Sequence, residues 1–130
     1  MKITLIGRPI AKKNSRRIFQ GRGRGIVSIP SHAYVNWEIV AMSQIRAYSM
    51  QRFTGYVSID YTFRFKGDMS VDVDNAMAGI NDILEKTGVV RNDKLIVCGT
   101  FSLTWGHPEW ETDLVIIDFV GDVGRKHGMV

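Results

Sequence analysis

Two aspartates one residue apart, Asp72 and Asp74, stand in the stretch VDVDN, and a third, Asp93, follows in RNDKLIV. Carboxylates this close repel each other unless a cation sits between them. Neither VDVDN nor RND brings in a histidine or cysteine, so the donor set is oxygen only and suits a hard cation, Mg²⁺ or Mn²⁺, rather than zinc. In an extended segment Asp72 and Asp74 point to one side, because side chains alternate with period two. The segment TGVVRND, at up to about 3.3 Å per residue, can return about 20 Å toward them. Three carboxylates then converge on a cation suited to phosphodiester hydrolysis, in which it activates water and stabilises the leaving oxygen. Two plainer readings stay open on these residues alone: a polar loop in which Asp74 or Asn75 only caps a helix, and a nucleic-acid binder without chemistry.

The distribution of charge favours nucleic acid as the partner. Lys2, Arg8, Lys12, Lys13, Arg16, Arg17, Arg22 and Arg24 all precede Glu38, the first acidic residue, and the other acids begin at Asp60. The stretch RPIAKKNSRRIFQGRGRG interleaves these cations with Gly, Asn and Ser and is short of apolar anchors, which suits a surface that reaches phosphates. A solvated basic face is the alternative.

The elements that must position these residues follow from periodicity. KITLIG alternates as a first strand that Pro9 ends, and the glycines at 21, 23 and 25 predict a hairpin tip between short strands at RRIF and GIVSI. Ser31 caps a predicted helix over about 31–50, with Ala33, Tyr34, Trp37, Ala41, Ile45 and Tyr48 on one stripe. GYVSIDYTFRF alternates strictly, so its aromatic face belongs to the core. A second helix is predicted over 76–86, directly after Asp74, with Asn75 as N-cap, Gly88 as the C-terminal stop and Met77, Ile80, Ile83 and Leu84 inward. KLIVCGTFSLTW and TDLVIIDFV predict two further strands, with Cys98 buried in the first and a loop at GHPEWE between them.

A chain of 130 residues with 45% apolar content is the size of one globular domain. The fold class that follows is α+β, a small mixed β-sheet with two main helices. One cysteine excludes a disulfide framework, no run approaches the ~18 apolar residues of a spanning helix, and a cytoplasmic protein without membrane partners is expected. The tail over 121–130 is expected to be loosely ordered. The scattered His32, His107 and His127 receive no chemistry.

The motif DVDNAMAGINDILEKTGVVRND, with RPIAKKNSRR before it, resembles the RusA-type Holliday-junction resolvases, small homodimeric Mg²⁺-dependent endonucleases of bacteria and their prophages. The resemblance covers most of the chain and implies one RusA-like nuclease domain over 1–130, acting in recombination and repair. It places Asp72, Asp74 and Asp93 on the family's catalytic, metal-binding aspartates, Asn75 on its Asn, capping the helix and steadying the metal loop, and Asn14 on its N-terminal loop residue. DNA contacts are then expected from Lys12, Lys13, Asn14, Arg16, Arg17, Arg22, Arg24 and Lys94. The sequence departs from the family at Ala78, where a Lys is common one turn into the helix, and at KGDMS, which replaces an Arg-rich run of the best-known member. Lys12, Lys13 and Lys94 are the candidates to supply that cation. A silent junction-binding protein and a less selective branched-DNA nuclease are the rival readings.

Overall fold

The computed structural model describes residues 1–10, 16–21, 25–48 and 51–124, with backbone alone over 16–21 and 25–30. Its elements, in chain order, are β1 (Lys2–Ile6), β2 (Arg16–Gly21), β3 (Gly25–Pro30), α1 (His32–Arg46), β4 (Val57–Lys66), α2 (Val73–Thr87), a 3-10 turn (Asp93–Leu95), β5 (Ile96–His107) and β6 (Glu111–Asp118). Four strands form a mixed sheet in the order β1-β6-β4-β5, and β2 and β3 form a separate antiparallel hairpin. This is an α+β fold with two main helices, as the periodicities predict.

The strict alternation in β4 drives the packing. Val57, Ile59, Tyr61, Phe63 and Phe65 are buried, and opposite them in β6 stand Ile116 and Leu114. Ala41 and Ile45 of α1 and Ile80, Ile83 and Leu84 of α2 join the same core, so both helices cover one face of the sheet. Each Leu or Ile buried this way contributes about 1.5–3 kcal/mol from apolar surface removed from water.

Helix α1 starts where expected, with the Ser31 hydroxyl accepting from the Tyr34 N–H at 3.1 Å, and it ends at Arg46, earlier than the stripe suggested. The helices are tied by Lys86, whose ammonium lies 2.9 Å from Glu38 and 3.3 Å from Asp82, and by the Tyr34 hydroxyl, which donates to Asp82. Burial first, then the neighbouring Glu38, holds the Tyr34 hydroxyl well above its usual range. At the end of α2, Gly88 has φ 82°, the left-handed conformation that closes a helix and strains any residue with a Cβ.

Strand β4 is parallel to β5, with α2 as the crossover between them, and antiparallel to β6. On the face away from the helices, the Arg64 guanidinium lies 2.9 Å from Glu111 and 2.7 Å from Asp113. The Thr4 hydroxyl donates to Asp113 as well. Cys98 corrects the sequence expectation, because it is exposed rather than buried. The reason is its place in the sheet: β5 is an outer strand, and Cys98 stands opposite Ser58, on the parity of β4 that faces away from the core. Residues 121–124 carry no regular structure, and the rest of the expected tail lies outside the described residues.

Candidate active site at the start of the crossover helix

The helix that was to follow the two aspartates takes in one of them. Asp72 is the N-cap of α2, in extended conformation at φ −70° and ψ 107°, and the helix proper runs from Val73. Asp is among the strongest N-caps, and an acid in the first turn favours the positive end of the helix, so Asp72 and Asp74 both draw the start upstream of Asn75. Asn75 is therefore the third helical residue and not the cap. Its backbone N–H donates to Asp72 Oδ1 at 3.3 Å and its side-chain amide to Oδ2 at 2.9 Å. Asn75 thus holds the Asp72 carboxylate through two hydrogen bonds. Asp74 leaves the extended register in which the two aspartates were to share a side, because residues two apart on a helix do not face each other.

Asp72 and Asp74 are exposed, and neither forms an ion pair among the described residues. The Asp74 carboxylate has no hydrogen-bond donor among the described residues, and each Asp72 oxygen accepts one hydrogen bond from Asn75 and keeps a lone pair for an outside partner. Oxygen donors of this kind suit a hard cation such as Mg²⁺ or Mn²⁺.

Asp93 stands apart from them. It opens the 3-10 turn, its N–H donates to Glu85 Oε1 at 3.1 Å, and Asn92 caps the turn through the Lys94 N–H at 2.9 Å. Glu85 lies three turns along α2 from Asp74, about 16 Å of helical rise. The return segment does not close that gap within one chain: among the described residues, no three His, Cys, Asp or Glu side chains gather as a metal site.

Of the expected DNA contacts, Lys94 is exposed beside Asp93. Lys12, Lys13, Asn14, Arg22 and Arg24 lie outside the described residues. Arg16 and Arg17 open β2, and their side chains are not described. Ala78 is exposed one turn beyond Asp74.

Sequence reasoning missed two residues. Glu85 anchors the backbone of Asp93, and Asn81 accepts a hydrogen bond from the Tyr61 hydroxyl in a cleft between α2 and β5, lined also by Met77, Ile96, Cys98 and Phe101. Burial pushes the Tyr61 hydroxyl up to about 12, against the lowering effect of Asn81. The signal was present in the spacing: Asp74, Asn81 and Glu85 recur at seven and four residues, a polar stripe along α2.

No protein-family model matches the sequence. The chain is 30% identical over 89 residues to the crossover junction endodeoxyribonuclease RusA of Aquifex aeolicus, covering 68% of this chain and 68% of that protein. The chain belongs to the RusA family. No described helix is long and apolar enough to cross a membrane.

Proposed function

We propose that this protein is a divalent-metal-dependent endonuclease that resolves four-way DNA junctions, with residues 1–130 acting as one nuclease domain in the cytoplasm of a bacterial or phage-infected cell. The observation that carries the reading is the pair Asp72 and Asp74, exposed at the start of α2 with no cation partner among the described residues, in a chain related to a crossover junction endodeoxyribonuclease. Mg²⁺ held there, or Mn²⁺ in its place, would supply the activated water and the charge neutralisation that phosphodiester hydrolysis needs.

The chain's own residues do the rest. Asn75 holds the Asp72 carboxylate in place through two donors, so the metal ligand is oriented before the ion arrives. The basic residues Lys12, Lys13, Arg16, Arg17, Arg22 and Arg24, with Asn14, bind backbone phosphates and supply affinity without reading sequence. Lys94 adds a cation near Asp93, in a molecule that has Ala78 where a helix lysine would stand. A four-way junction is two-fold symmetric, so paired cuts need two identical sites, which a C2 homodimer provides.

The test is cleavage of a synthetic four-way junction and of linear duplex, each with Mg²⁺ and with chelator. Metal-dependent cutting of the junction in preference to the duplex is the expected result. Junction binding with no cutting under any metal would instead establish a binding protein, a reading that the separation of Asp93 from the other two aspartates favours. Metal-dependent cutting without preference for the junction would make it a less selective branched-DNA nuclease.

A further inference from the structure

The chain that leaves β1 passes over the end of the sheet where β1 and β4 finish and β6 begins. Gly7 makes the turn: its φ of 116° is a conformation that a residue with a Cβ enters only under strain, and its N–H donates to the Trp110 carbonyl at 3.0 Å. Pro9 is buried, and the Ile10 carbonyl oxygen lies 3.4 Å from where a Cβ on Gly79 would stand, so the segment comes to rest against the second turn of α2. Asp72, Asn75 and Gly79 recur at three and four residues and share that side of the helix. Arg8 therefore lies on the path from the end of the sheet to the helix face that begins with Asp72.

The Arg8 side chain is exposed, and its guanidinium carbon lies 5.2 Å from the centre of the Trp110 ring. Trp110 is itself fixed, buried in the core that both helices cover, with Phe65 edge-on at 5.5 Å. Arg64 uses its donors on two carboxylates, whereas among the described residues none accepts a hydrogen bond from Arg8. A guanidinium drawn to an aromatic face keeps its five N–H groups for another partner. Their planar fork matches two oxygens of a phosphate, and such a charge-assisted pair is stronger than contact with a ring at the surface. The surrounding sequence supplies no substitute. From Gly67 to Ile80, through the turn and the first two turns of α2, there is no Lys or Arg, and Lys66 has the parity of Arg64, on the face away from the helices.

We propose that Arg8 binds the phosphate to be cut. On DNA binding its guanidinium leaves the Trp110 ring, pairs with the two non-bridging oxygens of the phosphate that stands before Asp72 and Asp74, and stabilises the negative charge that grows on them in the transition state. The proposal rests on the nuclease reading above and deepens it. Trp110 is a positioning residue: its ring keeps the guanidinium beside the site in the free protein, so less side-chain freedom is lost when the phosphate arrives. The division of labour with the basic loop follows from what each interaction favours. Contacts to backbone phosphates away from the cut are equal in ground and transition states and supply affinity, whereas a contact to the reacting phosphate strengthens as charge develops and supplies rate.

The test compares wild type with Arg8→Gln and Arg8→Lys, with circular dichroism and Tm as controls of folding. In chelator, junction affinity is measured against salt. Arg8→Gln should lower the slope of log affinity against log salt by about 0.9, the share of one phosphate contact, and Arg8→Lys, which keeps the charge, should leave the slope as it is. In Mg²⁺ with protein saturating, single-turnover junction cleavage should fall by about 10²–10³-fold in Arg8→Gln, the loss that follows removal of one donor to a developing oxyanion, and by less in Arg8→Lys, which lacks the fork. A slope that Arg8→Gln leaves unchanged overturns the contact with phosphate. A lowered slope with the wild-type rate at saturation puts Arg8 on a phosphate that is not cut and overturns its part in the reaction. If wild type does not cut at all, the nuclease reading fails and the part in cleavage falls with it, while the slope still decides whether Arg8 touches DNA.

Discussion

Two pairs of carboxylates with the same spacing, Glu111 and Asp113 in β6 and Asp72 and Asp74 at the start of α2, have opposite surroundings. The β6 pair faces one side of a strand, and Arg64 lies across both, donating to Glu111 at 3.2 and 2.9 Å and to Asp113 at 2.7 and 2.9 Å. The hydrogen bond from Arg64, with a further one from Thr4, holds the Asp113 carboxyl below its usual range despite burial, and the Arg64 guanidinium is raised in return. The helix pair has only Asn75 and the helix end. A pair that the fold neutralises belongs to the fold. A pair that it leaves without a cation is open to one from outside.

If that contrast is right, charge removal at the two pairs separates activity from stability. Asp74→Asn should lose more junction cleavage than the roughly 100-fold that removal of an outer-shell partner costs, with junction binding retained or tightened; single-turnover cleavage and a binding titration measure the two. Asn75→Ala, which frees the Asp72 carboxylate, should lower cleavage by about 10–100-fold, with little change in Tm because Ala is a better helix former than Asn.

At the other pair the signs reverse. Arg64→Met should lower stability by about 1–2 kcal/mol, since it leaves two adjacent carboxylates without their charged donor, while the folded protein still cuts. Because the folded Asp113 carboxyl is lowered, the stability that it contributes is present above its unfolded value of about 4 and is lost as pH falls through the lower folded value. Thermal melts from neutral into acid should therefore show a smaller acid-dependent loss for Arg64→Met than for wild type.

The smallest effect is expected at Ala78. Ala78→Lys places a cation on the exposed face one turn from Asp74 and should raise the cleavage rate a few-fold by stabilising charge that develops at the phosphate, with Tm unchanged. A slower variant of unchanged junction affinity would show that this turn of α2 does not face the scissile phosphate.

The fold was legible where a single period dominates. The alternation of β4 and the stripe of α2 specify their buried faces, and Ser31 and Gly88 mark helix ends by their own chemistry. The start of α2 was not legible because Asp72, Asp74 and Asn75 are all capable caps, and residue type alone does not rank them. The exposure of Cys98 was not legible because an outer strand and an inner strand share the same apolar run, and only strand order, a property of the whole chain, tells them apart. The separation of Asp93 has the same origin: spacing gives the reach of the return segment, whereas the Glu85 hydrogen bond that fixes where it stops is tertiary.

The most direct test is Asp72→Asn, since Asn caps a helix as well as Asp does, and the substitution removes the charge and one of the two acceptors for Asn75 while keeping the shape. Junction cleavage, junction binding and Tm are measured on the same preparations of wild type and variant in Mg²⁺. Cleavage is expected to be lost while binding and Tm match wild type. Cleavage at the wild-type rate, with the helix intact, would contradict it and would make Asp72 a helix cap and nothing more.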